Sequence, residues 1–370
     1  MKINVVIPSY NCGKYIEETV NSVINQNYDD LRVIIVNDGS KDSTEQVCLD
    51  LIEKNGKSDK IVYLHKENGG VSSARNVGIE YVLNNRDGFQ YICFLDSDDL
   101  WRRDFFTESV IEALEAKTDV IGFEMCRCSN DMKKAAPDSR LLESPNGKPL
   151  EQEYSIVDGG AENIRCLDET PMGSIFYSVD LIEKTGIRFF DGLKYSEDKI
   201  FRIQCMYAAQ QIARVTRVLY LYRNAPLSAM SRARFDAEYY KPIVDAYIKC
   251  DMQMLEIKRE DREELVWGRT LAALYTTEMA DEMYRSFKSE SEVNAFFNER
   301  QYLIENLKKY GHLAPSAATW LKENENSKKK YILRQKITGI KNFFKRALKR
   351  MPIMVYMYNR NTYTRDNKYV

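Results

Sequence analysis

Histidine is almost absent from this sequence. The 370 residues contain two, His65 and His312. A Ser-His-Asp hydrolase needs a histidine base, and zinc centres usually need histidines or paired cysteines, so both kinds of site are hard to build here. The eight cysteines include no CxxC pair and are interpreted as reduced, mostly buried thiols. Catalytic acids, bases and metal ligands must therefore come from carboxylates.

Long apolar runs are also missing. Met1 and Lys2 lead directly into Ile3–Ile7, which is typical of a core strand, and no stretch is long enough to span a bilayer. We therefore expect no export signal, no spanning helix and a cytoplasmic location. The formal net charge of -1 and the charged fraction of 29% are ordinary for a globular protein and argue against a nucleic-acid partner.

Short β-rich runs alternate with helical patterns in the first half of the chain. This alternation predicts an α/β fold with a mostly parallel sheet flanked by helices on both faces. Strands are predicted at Ile3–Pro8, Arg32–Asn37, Ile61–His65, Gln90–Leu95 and near Val120–Cys126, and helices at Tyr15–Asn25 and from about Ser72 to Asn84. Residues 133–158, rich in proline, glycine, asparagine and aspartate, are interpreted as a surface loop or flap.

The second half changes character twice. We predict an α/β catalytic domain over residues 1–235, a helical C-terminal unit over 236–326 and a basic amphipathic tail over 327–370. No acidic residue occurs from Ser327 to Arg350, and apolar residues recur there mostly at three- to five-residue steps. Such a helix suits an anionic membrane surface, a homodimer interface or packing on the helical unit, and the pattern does not choose among them.

Three carboxylates, Asp96, Asp98 and Asp99, follow the apolar strand that ends at Leu95. Ligands bind at the carboxyl edge of a parallel sheet, and clustered carboxylates favour Mg²⁺ or Mn²⁺ holding a diphosphate. The competing interpretation is an acidic cap on a following helix.

The other strand ends also carry polar residues. The first strand ends at Pro8-Ser9-Tyr10-Asn11 without a GxGxxG fingerprint, which argues against a dinucleotide-dependent oxidoreductase. The second ends at Asp38, and the third is followed by Asn68-Gly69-Gly70 and Arg75. Each is ordinary turn chemistry in isolation, but four such ends on one sheet edge indicate a nucleotide site.

At this point the sequence resembles the family 2 glycosyltransferases, which have the GT-A fold. The matching motifs are VVIPSYN, VNDGSKDST, ENGGVSSARNVGI, FLDSDD and the later YSEDKIF. The resemblance covers about Lys2 to Arg232. It implies that Asp98 holds the metal, Mn²⁺ or Mg²⁺. It also implies donor-binding roles for Pro8 and Tyr10 (base pocket), Asp38 (uracil), Asn68 and Gly69 (backbone approach), Arg75 (nucleoside) and Asp96 (ribose).

Inverting transfer also needs a base for the acceptor hydroxyl. In the family the second carboxylate of a pair such as Glu197-Asp198 has this role, which makes Asp198 the catalytic candidate and Glu197 its supporting or acceptor-binding neighbour. An acid-rich helix start is the structural alternative. A loose match to a segment that closes over the diphosphate adds Arg223, Ser228 and Arg232 as donor-binding candidates.

The resemblance implies an inverting hexosyl- or N-acetylhexosaminyltransferase. The expected donor is a UDP-sugar, and the acceptor a glycan or lipid-linked molecule of bacterial surface polysaccharide synthesis, reached from the inner membrane face. Two other functions stay open: a catalytically silent binding module with the same fold, and a nucleotidyltransferase. The intact carboxylates argue against the first. Ser9–Lys14, a poor version of the basic glycine-rich loop, argues against the second.

Overall fold

A computed structural model describes most of the first 224 residues. The described ranges are 1–55, 60–132, 135–137, 154–159, 171–193 and 196–224, with single positions at 246, 289, 291, 295, 329, 333, 336 and 337. The predicted helical unit and tail therefore lie almost entirely outside the described residues, as do Ser228 and Arg232.

The ten described strands form one sheet, in the order β3-β2-β1-β4-β9-β6-β10-β5, with β7 added beside β6 and β8 beside β10. Strands β3, β2, β1 and β4 are parallel, as are β6 and β10. Strand β9 runs antiparallel between β4 and β6. The strands are β1 Lys2–Ser9, β2 Leu31–Asp38, β3 Ile61–Lys66, β4 Phe89–Phe94, β5 Leu100–Trp101, β6 Val120–Cys128, β7 Ala135–Pro137, β8 Tyr154–Asp158, β9 Ile175–Ser178 and β10 Gln211–Arg223.

Helices cover both faces of this sheet. Alternate residues of β1 divide between two cores: Val5 packs with α1, α2 and α4, whereas Val6 packs with α3, α5 and α6. Because successive side chains of a strand point to opposite faces, a strand buried on both sides must be apolar throughout. The helices are α1 Ile16–Ile24, α2 Thr44–Asn55, α3 Val71–Asn84, α4 Glu108–Glu115, α5 Val179–Thr185 and α6 Glu197–Ala208, with a 3-10 turn at Met172–Ser174.

The predicted α/β fold is confirmed, and so are the strands and helices predicted up to Cys126. The first group of parallel strands ends at β4, where the short antiparallel β9 separates it from the parallel pair β6 and β10 and makes the sheet mixed. Two described pieces of the predicted 133–158 loop are strands instead: β7 pairs with β6, and β8 pairs with β10.

Helix α3 packs unusually close to β1. A Cβ added at Gly78 would lie 2.4 Å from Cγ1 of Val6, so a larger residue there would push the helix off the strand. The close approach holds α3, the helix that carries Arg75, against β1.

The chain divides into two compact units, one of Met1–Arg234 with Glu238–Leu274 and one of Phe235–Ala237 with Tyr275–Val370. All strands and helices given above belong to the first. The predicted boundaries after residues 235 and 326 stay predictions. Over the described residues, no helix combines the length and apolar character needed to cross a membrane.

Candidate active site

The carboxyl ends of four neighbouring parallel strands bring the predicted donor residues to one sheet edge. Asp38 ends β2 and pairs in register with Lys66 at the end of β3. On the other side of β2, Ser9 at the end of β1 pairs with Asn37. Asp96 follows β4, which lies next to β1. The order β3-β2-β1-β4 therefore places Asp38, Tyr10 and Asp96 along a continuous edge.

Asp38 organises the turn after β3. Its buried carboxylate accepts hydrogen bonds from Lys66 Nζ at 2.5 Å and from the backbone N–H groups of Gly69 at 2.9 Å and Gly70 at 2.8 Å. Asn68 Nδ2 donates to the Asp38 carbonyl at 3.0 Å. The φ of +88° at Gly70 favours glycine and turns the backbone into α3. A carboxylate has about four acceptor sites, so these three bonds leave capacity for a ligand donor.

Lys66 is the residue of this cluster that sequence reasoning missed. Its position directly opposite Asp38 in the β2–β3 register was the available signal, because opposite charges often pair across neighbouring strands.

The turn after β1 presents an aromatic ring beside this cluster. Pro8 is buried within β1, whereas Tyr10 is 49% exposed. Asn11 holds the turn: its N–H donates to Ser40 Oγ at 3.0 Å, and its side-chain oxygen accepts from the Lys41 N–H at 2.8 Å. An exposed ring on a fixed turn provides a stacking surface for a planar ligand.

The loop between β4 and β5, called the acidic loop below, contains Asp96, Asp98 and Asp99. Burial and mutual repulsion raise the pKa of two of these carboxylates. Burial, and then the neighbouring charge of Asp96, raises the pKa of Asp98 to about 6. Burial together with Asp96 and Asp98 also raises the pKa of Asp99 well above its usual range. The loop leads into β5, so the interpretation of Asp98 or Asp99 as a helix cap is wrong.

Asp99 is the structural member of the loop. It is buried, one oxygen accepts a hydrogen bond from the Tyr220 hydroxyl, and the other accepts from the Arg223 N–H at 2.6 Å. Both oxygens of Asp99 are therefore occupied by hydrogen bonds from β10, and Asp98 remains the metal candidate of the loop.

A divalent cation fits this loop. Among the described residues no group of three carboxylate, histidine or cysteine side chains forms a complete protein cage. Mg²⁺ and Mn²⁺ need no such cage, because they take one or two carboxylates together with substrate phosphates and waters. The raised pKa of Asp98 shows that its negative charge is unfavourable in this environment, so a bound cation would stabilise the ionised form.

Arg75 connects this loop to the predicted acid pair. Its guanidinium is buried and donates to Asp96 Oδ1 at 2.8 Å and to Glu197 Oε1 at 2.9 Å. Burial acts to lower the pKa of Arg75, but the charges of Asp96, Glu197 and Asp198 outweigh it and raise the pKa, so the group stays charged. The structure thus joins residues from α3, the loop after β4 and α6 in one charged cluster.

Glu197 and Asp198 begin α6, as the sequence predicted. The preceding residue, Ser196, has a φ of +61°, a left-handed conformation that costs a non-glycine residue roughly 1–2 kcal/mol. Such strain is concentrated at functional sites. Burial, then the charge of Asp198, raises the pKa of Glu197 to about 7 against the opposing effect of Arg75. Asp198 Oδ1 accepts the Lys199 N–H at 2.7 Å.

Arg223 was predicted to bind the donor as part of a segment that closes over the diphosphate. It ends β10, is 3% exposed, and donates to the Asp98 carbonyl at 2.6 Å, the Asn130 carbonyl at 2.5 Å and Glu18 Oε2 at 2.6 Å. Its guanidinium therefore links the acidic loop, through Asp98, to α1, through Glu18. Its donor-binding role stays a prediction, and Ser228 and Arg232 lie outside the described residues.

Known proteins and one family model are similar to this chain in sequence. Residues 4–167 match the family model "Glycosyl transferase family 2". The uncharacterized glycosyltransferase EpsJ of Bacillus subtilis is 26% identical over 259 residues, 68% of this chain and 67% of EpsJ. Glycosyltransferase GlyA of Streptococcus pneumoniae is 35% identical over 119 residues, but the alignment spans 32% of this chain and 16% of GlyA. Minor teichoic acid biosynthesis protein GgaB of B. subtilis is 43% identical over 99 residues, 26% of this chain and 10% of GgaB.

A solved structure shows the same fold. Staphylococcus aureus TarS residues 1–349, in complex with UDP-GlcNAc, superposes with a TM-score of 0.50 at 19% identity, covering 84% of this chain and 91% of that one. Residues 4–167 are therefore similar to glycosyltransferase family 2, and the chain has the fold of the GT-A glycosyltransferases.

Proposed function

We propose that this protein is a metal-dependent, inverting glycosyltransferase acting on a UDP-sugar. It moves a hexosyl or N-acetylhexosaminyl group to a glycan or lipid-linked acceptor in bacterial surface polysaccharide synthesis. The observation that carries the proposal is the Arg75 bridge, which unites the donor carboxylate Asp96 with the acid pair on α6. The UDP-GlcNAc bound to TarS and the teichoic acid role in the name of GgaB support the donor and acceptor classes.

The site residues divide the chemistry between them. Tyr10 stacks on the base, Asp38 accepts its ring N–H, and Asp96 accepts from the ribose. Asp98 holds the divalent cation, which when bound neutralises charge on the departing diphosphate. Asp198 takes the proton of the acceptor hydroxyl as that oxygen attacks the anomeric carbon. The bond from the anomeric carbon to the diphosphate breaks on the opposite face, so an α-linked donor gives a β-linked product.

A panel of nucleotide sugars tests this proposal. Purified protein is incubated with each donor and candidate acceptors, with Mn²⁺ or with EDTA, and nucleoside diphosphate release is measured. We expect UDP release from a UDP-sugar that is stimulated by acceptor and lost in EDTA. Donor binding without turnover would favour the silent module, and pyrophosphate release from a nucleoside triphosphate would favour a nucleotidyltransferase.

We also propose that residues 327–350 hold the enzyme at the inner membrane face. Four described positions of this segment, Lys329, Leu333, Lys336 and Ile337, are helical and exposed. Their spacing places them on one helix face, so the two exposed apolar side chains stand beside two lysines. An apolar stripe flanked by lysines suits an anionic lipid surface, where each basic residue contributes up to about 1 kcal/mol.

Truncation after Asn326 is expected to abolish flotation with anionic liposomes at low salt. The variant Leu333→Asp/Ile337→Asp should weaken flotation in the full-length chain, because it removes apolar area and adds negative charge. Vesicles of neutral lipid serve as the control. If the full-length protein does not float, or the truncated protein floats equally well, the membrane role is wrong. Light scattering then decides whether the segment forms a dimer.

A further inference from the structure

Arg75 lies against an aromatic surface that the same helix also contacts. Its guanidinium carbon lies 5.2 Å from the ring centroid of Phe189, and that ring stacks on Phe201 of α6 at 3.9 Å. The next residue of α3, Asn76, exchanges two hydrogen bonds with the Phe189 backbone, each 2.9 Å long. Helix α3 therefore fixes both the arginine and the aromatic surface beneath it.

The two partners of Arg75 belong to different halves of the reaction. Asp96 is on the donor side, and its side chain is 35% exposed. Glu197 is on the acceptor side, beside Asp198, and its side chain is 12% exposed. Arg75 Nε is buried and has no hydrogen-bond partner among the described residues. The guanidinium thus leaves one donor unpaired while its two terminal nitrogens contact one carboxylate on each side.

We propose that Arg75 is a positioning residue that ties Asp96 to Glu197, an assignment that rests on the proposed function. A planar guanidinium with fixed donor directions sets the separation of two carboxylates in a way that a flexible ammonium does not. Nucleotide binding at Asp96 and the placement of the α6 N-terminus are therefore energetically linked. Linkage of this kind is reciprocal, so a change at Glu197 must alter nucleotide affinity.

A double-mutant cycle on UDP affinity measures this linkage. The four proteins are wild type, Glu197→Gln, Arg75→Met and the double variant, and the dissociation constant of UDP with Mn²⁺ is measured by calorimetry without acceptor. We expect Glu197→Gln to weaken UDP binding roughly three- to ten-fold, a typical coupling between contacting residues. In the Arg75→Met background the same change should have little effect, because the link is already cut.

Two further variants separate positioning from charge and from folding. Arg75→Lys keeps the positive charge but lacks the planar guanidinium that donates to two carboxylates at once. Its UDP affinity should therefore lie between that of Arg75→Met and that of wild type. Arg86 is a matched control: it also donates to two carboxylates, Asp180 and Glu183, but just beyond the C-terminal end of α3. Arg86→Met should leave UDP affinity unchanged. Circular dichroism and unfolding midpoints show which variants fold, and if Arg75→Met does not, Arg75→Lys takes its place in the cycle.

The outcomes are distinct. An equal effect of Glu197→Gln with and without Arg75 overturns the linkage and leaves the proposed function standing, provided that wild type binds UDP and transfers sugar. Absence of nucleotide binding by the wild type overturns the proposed function and the linkage together.

Discussion

Asp98→Ala is expected to abolish sugar transfer and to make donor binding independent of metal. Asp96 is engaged by Arg75 and Asp99 by Tyr220, so Asp98 is the loop carboxylate placed to hold a cation. Removing it leaves the diphosphate without its counter-charge. The dissociation constant of the UDP-sugar is measured with Mn²⁺ and with EDTA. Wild type should bind more tightly with Mn²⁺, and the variant should bind equally in both.

A nearby carboxylate supplies the matched control. Asp104 pairs with Arg102 on the surface, where ion pairs contribute little, so Asp104→Ala should keep the wild-type rate and the wild-type metal dependence. Retention of half the wild-type rate by Asp98→Ala would rule out the metal assignment.

The pKa of Asp98 allows folding to be separated from function. In the metal-free fold its pKa is raised to about 6, so the folded state binds more protons than the unfolded state between about pH 4 and 6. The stability associated with the protonated group is therefore present at low pH and is lost as pH rises through 6. Asp98→Asn, which cannot ionise, should raise the unfolding midpoint in EDTA at pH 8 by a few degrees and have little effect near pH 4. An inactive variant that is more stable than wild type cannot owe its inactivity to unfolding.

The donor side of the site was predictable because its signals are local. Each parallel strand is a continuous apolar run, and the polar residue that ends it is adjacent in sequence. Asp38 and Asp96 could therefore be assigned to one edge before any contact was known. Consecutive strands lie side by side from β1 to β3, as is common for crossover connections, but β4 lies next to β1 and not next to β3.

The contacts that hold the site together were not predictable in this way. Tyr220 reaches Asp99 across 121 positions of sequence, and Arg75 reaches Glu197 across 122. Each of these side chains has an ordinary local interpretation, so nothing in the sequence pairs them. Strand β9 is four residues long and antiparallel, too short for periodicity to identify. The contacts of Arg223 were not predictable for the same reason, since its partners lie in α1 and the acidic loop.

Asp198→Asn is expected to lower turnover by roughly 10²–10⁴, the usual contribution of a positioned general base. Donor binding should stay nearly intact, because the proton transfer occurs in the transition state and Asp198 is not part of the donor edge. Such a change lowers kcat and kcat/KM together. Turnover is measured with saturating acceptor, and UDP affinity is measured by calorimetry.

Glu197→Gln separates the two carboxylates of α6. Glu197 Oε1 accepts a hydrogen bond from Arg75 at 2.9 Å, so its negative charge is already paired. Its pKa of about 7 would nevertheless suit a base. We expect its loss to lower turnover less than the loss of Asp198 and, unlike Asp198→Asn, to weaken UDP binding. If Glu197→Gln removes turnover and Asp198→Asn does not, the roles are reversed. The anomeric configuration of the product is an independent check, because a base that activates the acceptor on the face opposite the diphosphate must invert it, and a retained configuration excludes this role for either residue.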